Sequence, residues 1–120
     1  MIIGRVRDGF PRVTFEFVGR EEPVLVELVL DTGFDGDIAL PSLILSKVAA
    51  EFQGERTVLM ADRTPRRTAY YDVMVEWDGE HRTIEAMMVD GRPLLGNDAL
   101  RGTSINIEMV DGGEVSIEVM

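Results

Sequence analysis

Apolar residues recur at every second position over much of the chain. Val13, Phe15 and Phe17 alternate with Thr14 and Glu16, and Val73, Val75 and Trp77 alternate with Met74 and Glu76. Ile105, Ile107 and Met109 flank Asn106 and Glu108, and Val115, Ile117 and Val119 flank Ser116 and Glu118. Successive side chains of a strand point to opposite faces, so this period predicts strands with one face in a core. The interruptions carry turn formers: Asp8-Gly9, Gly19-Arg20, Asp78-Gly79, Asp90-Gly91 and Asp111-Gly112-Gly113. These residues tolerate the backbone conformations that tight turns require. Short strands at close spacing predict an all-β domain, barrel-like or sandwich-like.

One segment departs from this period. After Pro41, Leu43, Ile44, Val48 and Phe52 approximate a helical face, with Ser42 placed to cap its start and Gly54 to end it. A second short helix is expected over Asn97 to Leu100, stopped by Gly102.

The run Val24-Leu25-Val26-Glu27-Leu28-Val29-Leu30 is apolar almost throughout and reads as a strand buried on both faces. It ends in Asp31-Thr32-Gly33. A charge near a core is costly unless it is hydrogen-bonded, which makes Asp31 the residue to explain.

Composition narrows the function. With 120 residues, 45% of them hydrophobic, the chain suits a single domain, 1–120, that buries roughly two thirds of its surface on folding. Twelve basic against 22 acidic side chains give a net charge of −10. That balance argues against nucleic acid or an anionic membrane as partner, because phosphate affinity needs clustered Lys and Arg. Cysteine is absent, which excludes disulfides, thiol nucleophiles and Cys-bound zinc. His81, the one histidine, follows the turn pair Asp78-Gly79 and reads as a solvated strand residue rather than a triad base. No stretch approaches 20 apolar residues, so a soluble, cytoplasmic protein is expected.

Leu28-Val29-Leu30-Asp31-Thr32-Gly33 resembles the catalytic signature of retropepsin-like (clan AA) aspartic proteases, and Leu94-Leu95-Gly96, followed by Asn97-Asp98-Ala99-Leu100, resembles their second element. The resemblance covers roughly residues 10 to 110 in order. It implies a small closed retropepsin-type β-barrel with one or two short helices and a flap hairpin. It also implies an aspartic endopeptidase with no cofactor and no metal. Because the chain holds one Asp-Thr-Gly, the second carboxylate would come from a homodimer partner across a two-fold axis. Two carboxyls about 3 Å apart cannot both ionise, so they share a proton and titrate as a pair.

Roles then follow from the resemblance. Asp31 would hold the attacking water, Thr32 would hydrogen-bond across the axis, and Gly33 would let the backbone approach a peptide or protein substrate. Asp35 matches a position that binds substrate backbone amides, and Phe34 and Leu95 are further expected substrate contacts. The implied flap spans Thr57 to Val73, with Ala61, Asp62 and Arg63 at its tip. Asp37 reads as a solvated turn residue. Arg66 and Arg67 read equally as contacts to acidic substrates or as surface charge. Three features depart from retroviral members: the flap tip has no glycine, Phe34 stands where the residue is small and would crowd the substrate channel, and Asn97 replaces an arginine. The segments Met1 to Val6 and Val115 to Met120 are candidates for an intermolecular sheet.

Two rival readings remain. Asp31, Asp35 and Asp37 are three carboxylates in seven residues, as calcium loops use, but the run lacks the terminal glutamate of that pattern. The second is the same fold used for peptide binding or dimerisation without turnover.

Overall fold

The alternating segments form strands, and the aspartate–glycine pairs turn them. The computed structural model describes residues 1–120. In chain order the elements are β1 (Ile2–Arg7), β2 (Phe10–Phe17), β3 (Val24–Leu30), β4 (Ile38–Pro41), α1 (Ser42–Leu45), β5 (Glu51–Leu59), β6 (Pro65–Trp77), β7 (Glu80–Val89), β8 (Leu94–Leu95), α2 (Asn97–Leu100), β9 (Thr103–Ile107) and β10 (Glu114–Val119). Asp8-Gly9 and Asp78-Gly79 each have both residues at positive φ, joining β1 to β2 and β6 to β7 by two-residue hairpins. That conformation matches the strand twist, which is why these pairs serve as turns. The fold is all-β apart from two one-turn helices.

All ten strands belong to one sheet, ordered β5-β6-β7-β4-β8-β3-β2-β1-β10-β9. The 13-residue β6 also meets β2, where Phe17 pairs with Val75. That contact closes the strands from β2 through β3, β8, β4 and β7 to β6 into a ring. Inside it lies one core of 21 buried residues, including Phe15, whose ring stacks on Trp77 at 5.1 Å and 6°. No helix is long and apolar enough to cross a membrane.

Three expectations need correction. The helix foreseen up to Gly54 stops at Leu45. Val48 is fully buried and bridges to Gly19, the Ala49 N–H donates to the Val18 carbonyl, and Phe52 already lies in β5 with its ring edge-on to Tyr71. Pairing with distant strands thus overrides a weak local period. Gly54 does not cap a helix; it occupies a bulge in β5 at φ +117°.

The second correction concerns β3, which is buried on both faces only over Leu28–Leu30, because Leu25 points outward at 71% exposure beside Glu16. The third concerns the chain ends. β1 and β10 pair with each other inside the chain, Ile2 opposite Ile117; β9 takes the other side of β10, and β2 takes the other side of β1 over Arg5–Arg7. β10 is therefore not free to build an intermolecular sheet, and in β1 only Ile2–Gly4 lacks a second strand partner. Removing residues 116–120 would strip Ile117, 1% exposed, from the core and unfold the chain rather than merely split a dimer.

Candidate functional site

β3 delivers Asp31 to one end of the ring. The two-residue β8 lies parallel to β3 and antiparallel to β4, so it fills the gap between the strand that leads into the Asp31 loop and the strand that leaves it. The Asp31 N–H donates to the Leu95 carbonyl at 2.9 Å. Oδ1 of Asp31 accepts the Gly33 N–H at 3.0 Å, and the Phe34 N–H donates to the Asp31 carbonyl at 3.1 Å. The carboxylate is half-buried, and its orientation is set by backbone rather than by a mobile side chain.

α2 clamps the far side of the loop. The N–H groups of Gly96, Asn97 and Asp98 donate to the carbonyls of Asp37, Phe34 and Gly36 at 2.8, 2.7 and 3.2 Å. Phe34 fits through two glycines. A Cβ on Gly36 would lie 2.8 Å from the Phe34 ring, and one on Gly96 would lie 2.6 Å from it. The large residue therefore rests on a shelf of bare backbone. It still contributes to the wall of the cleft.

Asp37 is not a solvated turn residue. Its Oδ2 accepts the Glu85 N–H at 3.0 Å and ties the loop to β7. Asp35 is exposed and enters no ion pair. No three Asp, Glu or His side chains are arranged to hold a metal ion, so the carboxylates at 31, 35 and 37 do not gather as a calcium loop would require. His81 is exposed on β7.

The β5–β6 hairpin borders the same space. Between it and the Asp31 loop runs an open cleft of about 640 Å³, walled by Asp31, Phe34, Asp35 and Leu94 below and by Val58 and Ala61 above. That volume suits a small ligand or a stretch of peptide. Thr32 and Leu95 do not line it: Thr32 is exposed on the outer surface, and Leu95 is fully buried beneath Asp31, its neighbour Leu94 facing the cleft instead. Asp62 and Arg63 stand at the hairpin tip, outside the wall.

At that tip Arg63 adopts φ +67°, the conformation a glycine would supply more cheaply. Asp62 compensates, since its carboxylate accepts the Thr64 N–H at 2.9 Å. This hydrogen bond favours the ionised form and holds the Asp62 carboxyl below the usual carboxylate range. Its contribution to tip order is complete above that range and fades as the pH falls through the lowered value. Amide exchange at Thr64, corrected for intrinsic rate, should therefore show protection at pH 6 that is lost towards pH 3. Asp62→Ala should remove it at pH 6 as well, and an unchanged profile in that variant would contradict this role.

Sequence reasoning missed the polar furniture of the cleft. Arg56 donates to both oxygens of Glu85 at 2.7 and 2.6 Å, and its guanidinium lies 4.0 Å from the Tyr70 ring centre. The Glu85 carboxylate raises the Arg56 pKa further, so the cation is permanent. The three residues are 29 or fewer positions apart on adjacent strands, and no local motif marks them. Phe10 and Arg92 were missed as well. They rim a second cleft, of about 520 Å³, that shares Asp31 and Leu94 with the first. Comparison with protein-family models, curated proteins and solved structures finds no match.

Proposed function

We propose that the protein is a retropepsin-like aspartic endopeptidase that works as a homodimer. The observation that carries this reading is the setting of Asp31. It is a carboxylate at the tip of an interior strand, anchored at its N–H by Leu95 and at Oδ1 by Gly33, at the junction of two clefts and beside a hairpin. Thr32, exposed next to it and without an intrachain side-chain hydrogen bond, suits contact with a partner copy.

In the dimer the two Asp31 carboxyls hold one proton between them. The ionised one takes a proton from water while the protonated one donates a hydrogen bond to the peptide carbonyl. The water oxygen adds to the carbonyl carbon, giving a tetrahedral diol. A proton then passes to the amide nitrogen, the C–N bond breaks, and a carboxylic acid and an amine leave. The peptide lies extended along the cleft, and closure of the β5–β6 hairpin excludes water. A statine-type peptidomimetic, which imitates the diol, should raise the melting temperature of the full chain, with cleavage of unstructured peptides in parallel. A shift without cleavage would favour peptide binding without turnover, and neither response would remove the proposal.

Two copies meet most readily through β9. It is an outermost strand of the sheet, and its Thr-Ser-Ile-Asn-Ile sequence carries no charge, proline or bulge. The other free edge, β5, is defended by Glu51, Glu55, Arg56 and its bulge. Undefended edges recruit strands, and antiparallel pairing of β9 with its own copy obeys two-fold symmetry. On a chain of net charge −10, an uncharged strand also offers the approach of least repulsion. Sedimentation should show the dimer strengthening with added salt. Combining Ser104→Glu with Asn106→Glu, both exposed sites, should raise the dimer dissociation constant at least about tenfold with the monomer still folded. An unchanged constant would rule out β9 as the seam.

A further inference from the structure

The two clefts that meet at Asp31 differ in charge, one acid-lined and the other carrying Arg92 as its cation. Beside the β5–β6 hairpin stand Asp35, Asp37, Glu85 and Asp98, with Arg56, the one cation lining the cleft, held by Glu85, and Asp98 paired with Arg101 behind it. The other cleft has an apolar floor of Val29, Leu30, Val89 and Leu94, and apart from Asp31 its one charged residue is Arg92. Arg92 is exposed and has no carboxylate partner, although the chain carries 22 acidic side chains. Its guanidinium is fixed instead over the Phe10 ring, 4.5 Å from the centroid. Arg12, close to the same ring at 5.9 Å, shares Glu27 with Arg7, which also meets Asp8, so Arg92 is the one guanidinium here that no carboxylate holds.

We infer that the Phe10–Arg92 cleft is a substrate subsite selective for a side chain with an apolar stem and a terminal carboxylate, glutamate above all. This rests on the reading of Asp31 as the catalytic acid and names the substrate class it acts on. The apolar floor takes the methylenes, while the stacked guanidinium, kept in place by Phe10, offers a planar pair of N–H donors to the carboxylate. An extended substrate turns successive side chains to opposite sides. The residue next to the glutamate therefore meets the acid-lined cleft, which rejects a second carboxylate and admits a neutral or basic side chain. Preference for an acid is thus confined to one position on each side of the cleaved bond, the two related by the dimer axis.

The test profiles cleavage of a peptide library by the full-length protein, together with binding of statine-type inhibitors bearing Glu, Gln or Lys at each position. Wild type should favour Glu over Lys by at least tenfold at the two axis-related positions, one on each side of the cleaved bond. Arg92→Glu should reverse that preference there and leave the others unmoved, and Arg92→Gln should flatten it. Cleavage abolished by Asp31→Asn but with no acid preference, or with a preference that Arg92→Glu leaves intact, would overturn this inference alone. Neither cleavage nor inhibitor binding in the wild type would overturn it together with the proposed function.

Discussion

Asp31→Asn should lower kcat for peptide cleavage at least about a thousandfold, the loss expected when a group acting as both acid and base is removed from a unit that works as a whole. The fold should survive. Asparagine has the shape of aspartate, its Oδ1 can still accept the Gly33 N–H, and the half-buried site loses a charge rather than gaining one. The statine-induced rise in melting temperature should disappear with the activity, because the shared proton that binds the diol mimic is gone. Mixing adds a sharper measurement. If both carboxylates of a dyad are needed, an equimolar exchange of wild-type and Asp31→Asn chains leaves about one quarter of the activity of the same total amount of wild type, since only pairs of intact chains work. A protein that cleaved as a monomer would keep one half, and that result would end the dimer mechanism.

Gly96→Ala should be the most damaging small substitution near the site. The added methyl would stand 2.2 Å from the Gly36 carbonyl oxygen and 2.6 Å from the Phe34 ring. The first of these is backbone and cannot swing aside. α2 and the Asp31 loop are joined there by three hydrogen bonds, so relief requires prising them apart. Overpacking of this kind costs about 2–3 kcal/mol, or roughly 10 °C in melting temperature for a chain of this size. Gly91→Ala is the stability control, because its Cβ meets nothing within 4 Å and its φ is not positive. Calorimetry of the two variants should separate them clearly, and equal melting temperatures would show that the loop accommodates the methyl group.

Much of the architecture was legible because it is written in local alternation. Val13, Phe15 and Phe17 face the core as their period requires, and so do Val73, Val75 and Trp77. Asp8-Gly9 and Asp78-Gly79 announce their hairpins through residues able to hold positive φ. What escaped is what distance creates. Phe52 looks helical until Tyr71 is brought beside it. Asp37 looks solvated until Glu85 presents its N–H, 48 residues on. Phe34 shows its seat only when Gly96, far along the chain, is brought beneath its ring. The polar fittings of both clefts are of the same kind, since Arg56 finds Glu85 and Arg92 finds Phe10 only after the sheet has formed. Leu94-Leu95-Gly96 marked the right segment but not the division of labour within it, which depends on which side of a two-residue strand faces inward.

The pairing of β1 with β10 has a practical corollary for handling and for modular assembly. β1 runs from Met1 towards Phe10, which rims the Asp31 cleft, so the first residue and the neighbouring last strand emerge at the opposite pole of the sheet. A purification tag, reporter or extra module grafted onto either extremity would exit away from the Asp31 clefts. The two extremities are also adjacent enough for a short flexible tether to join them, leaving the body of the molecule open to re-entry points elsewhere, such as the exposed hairpin tip.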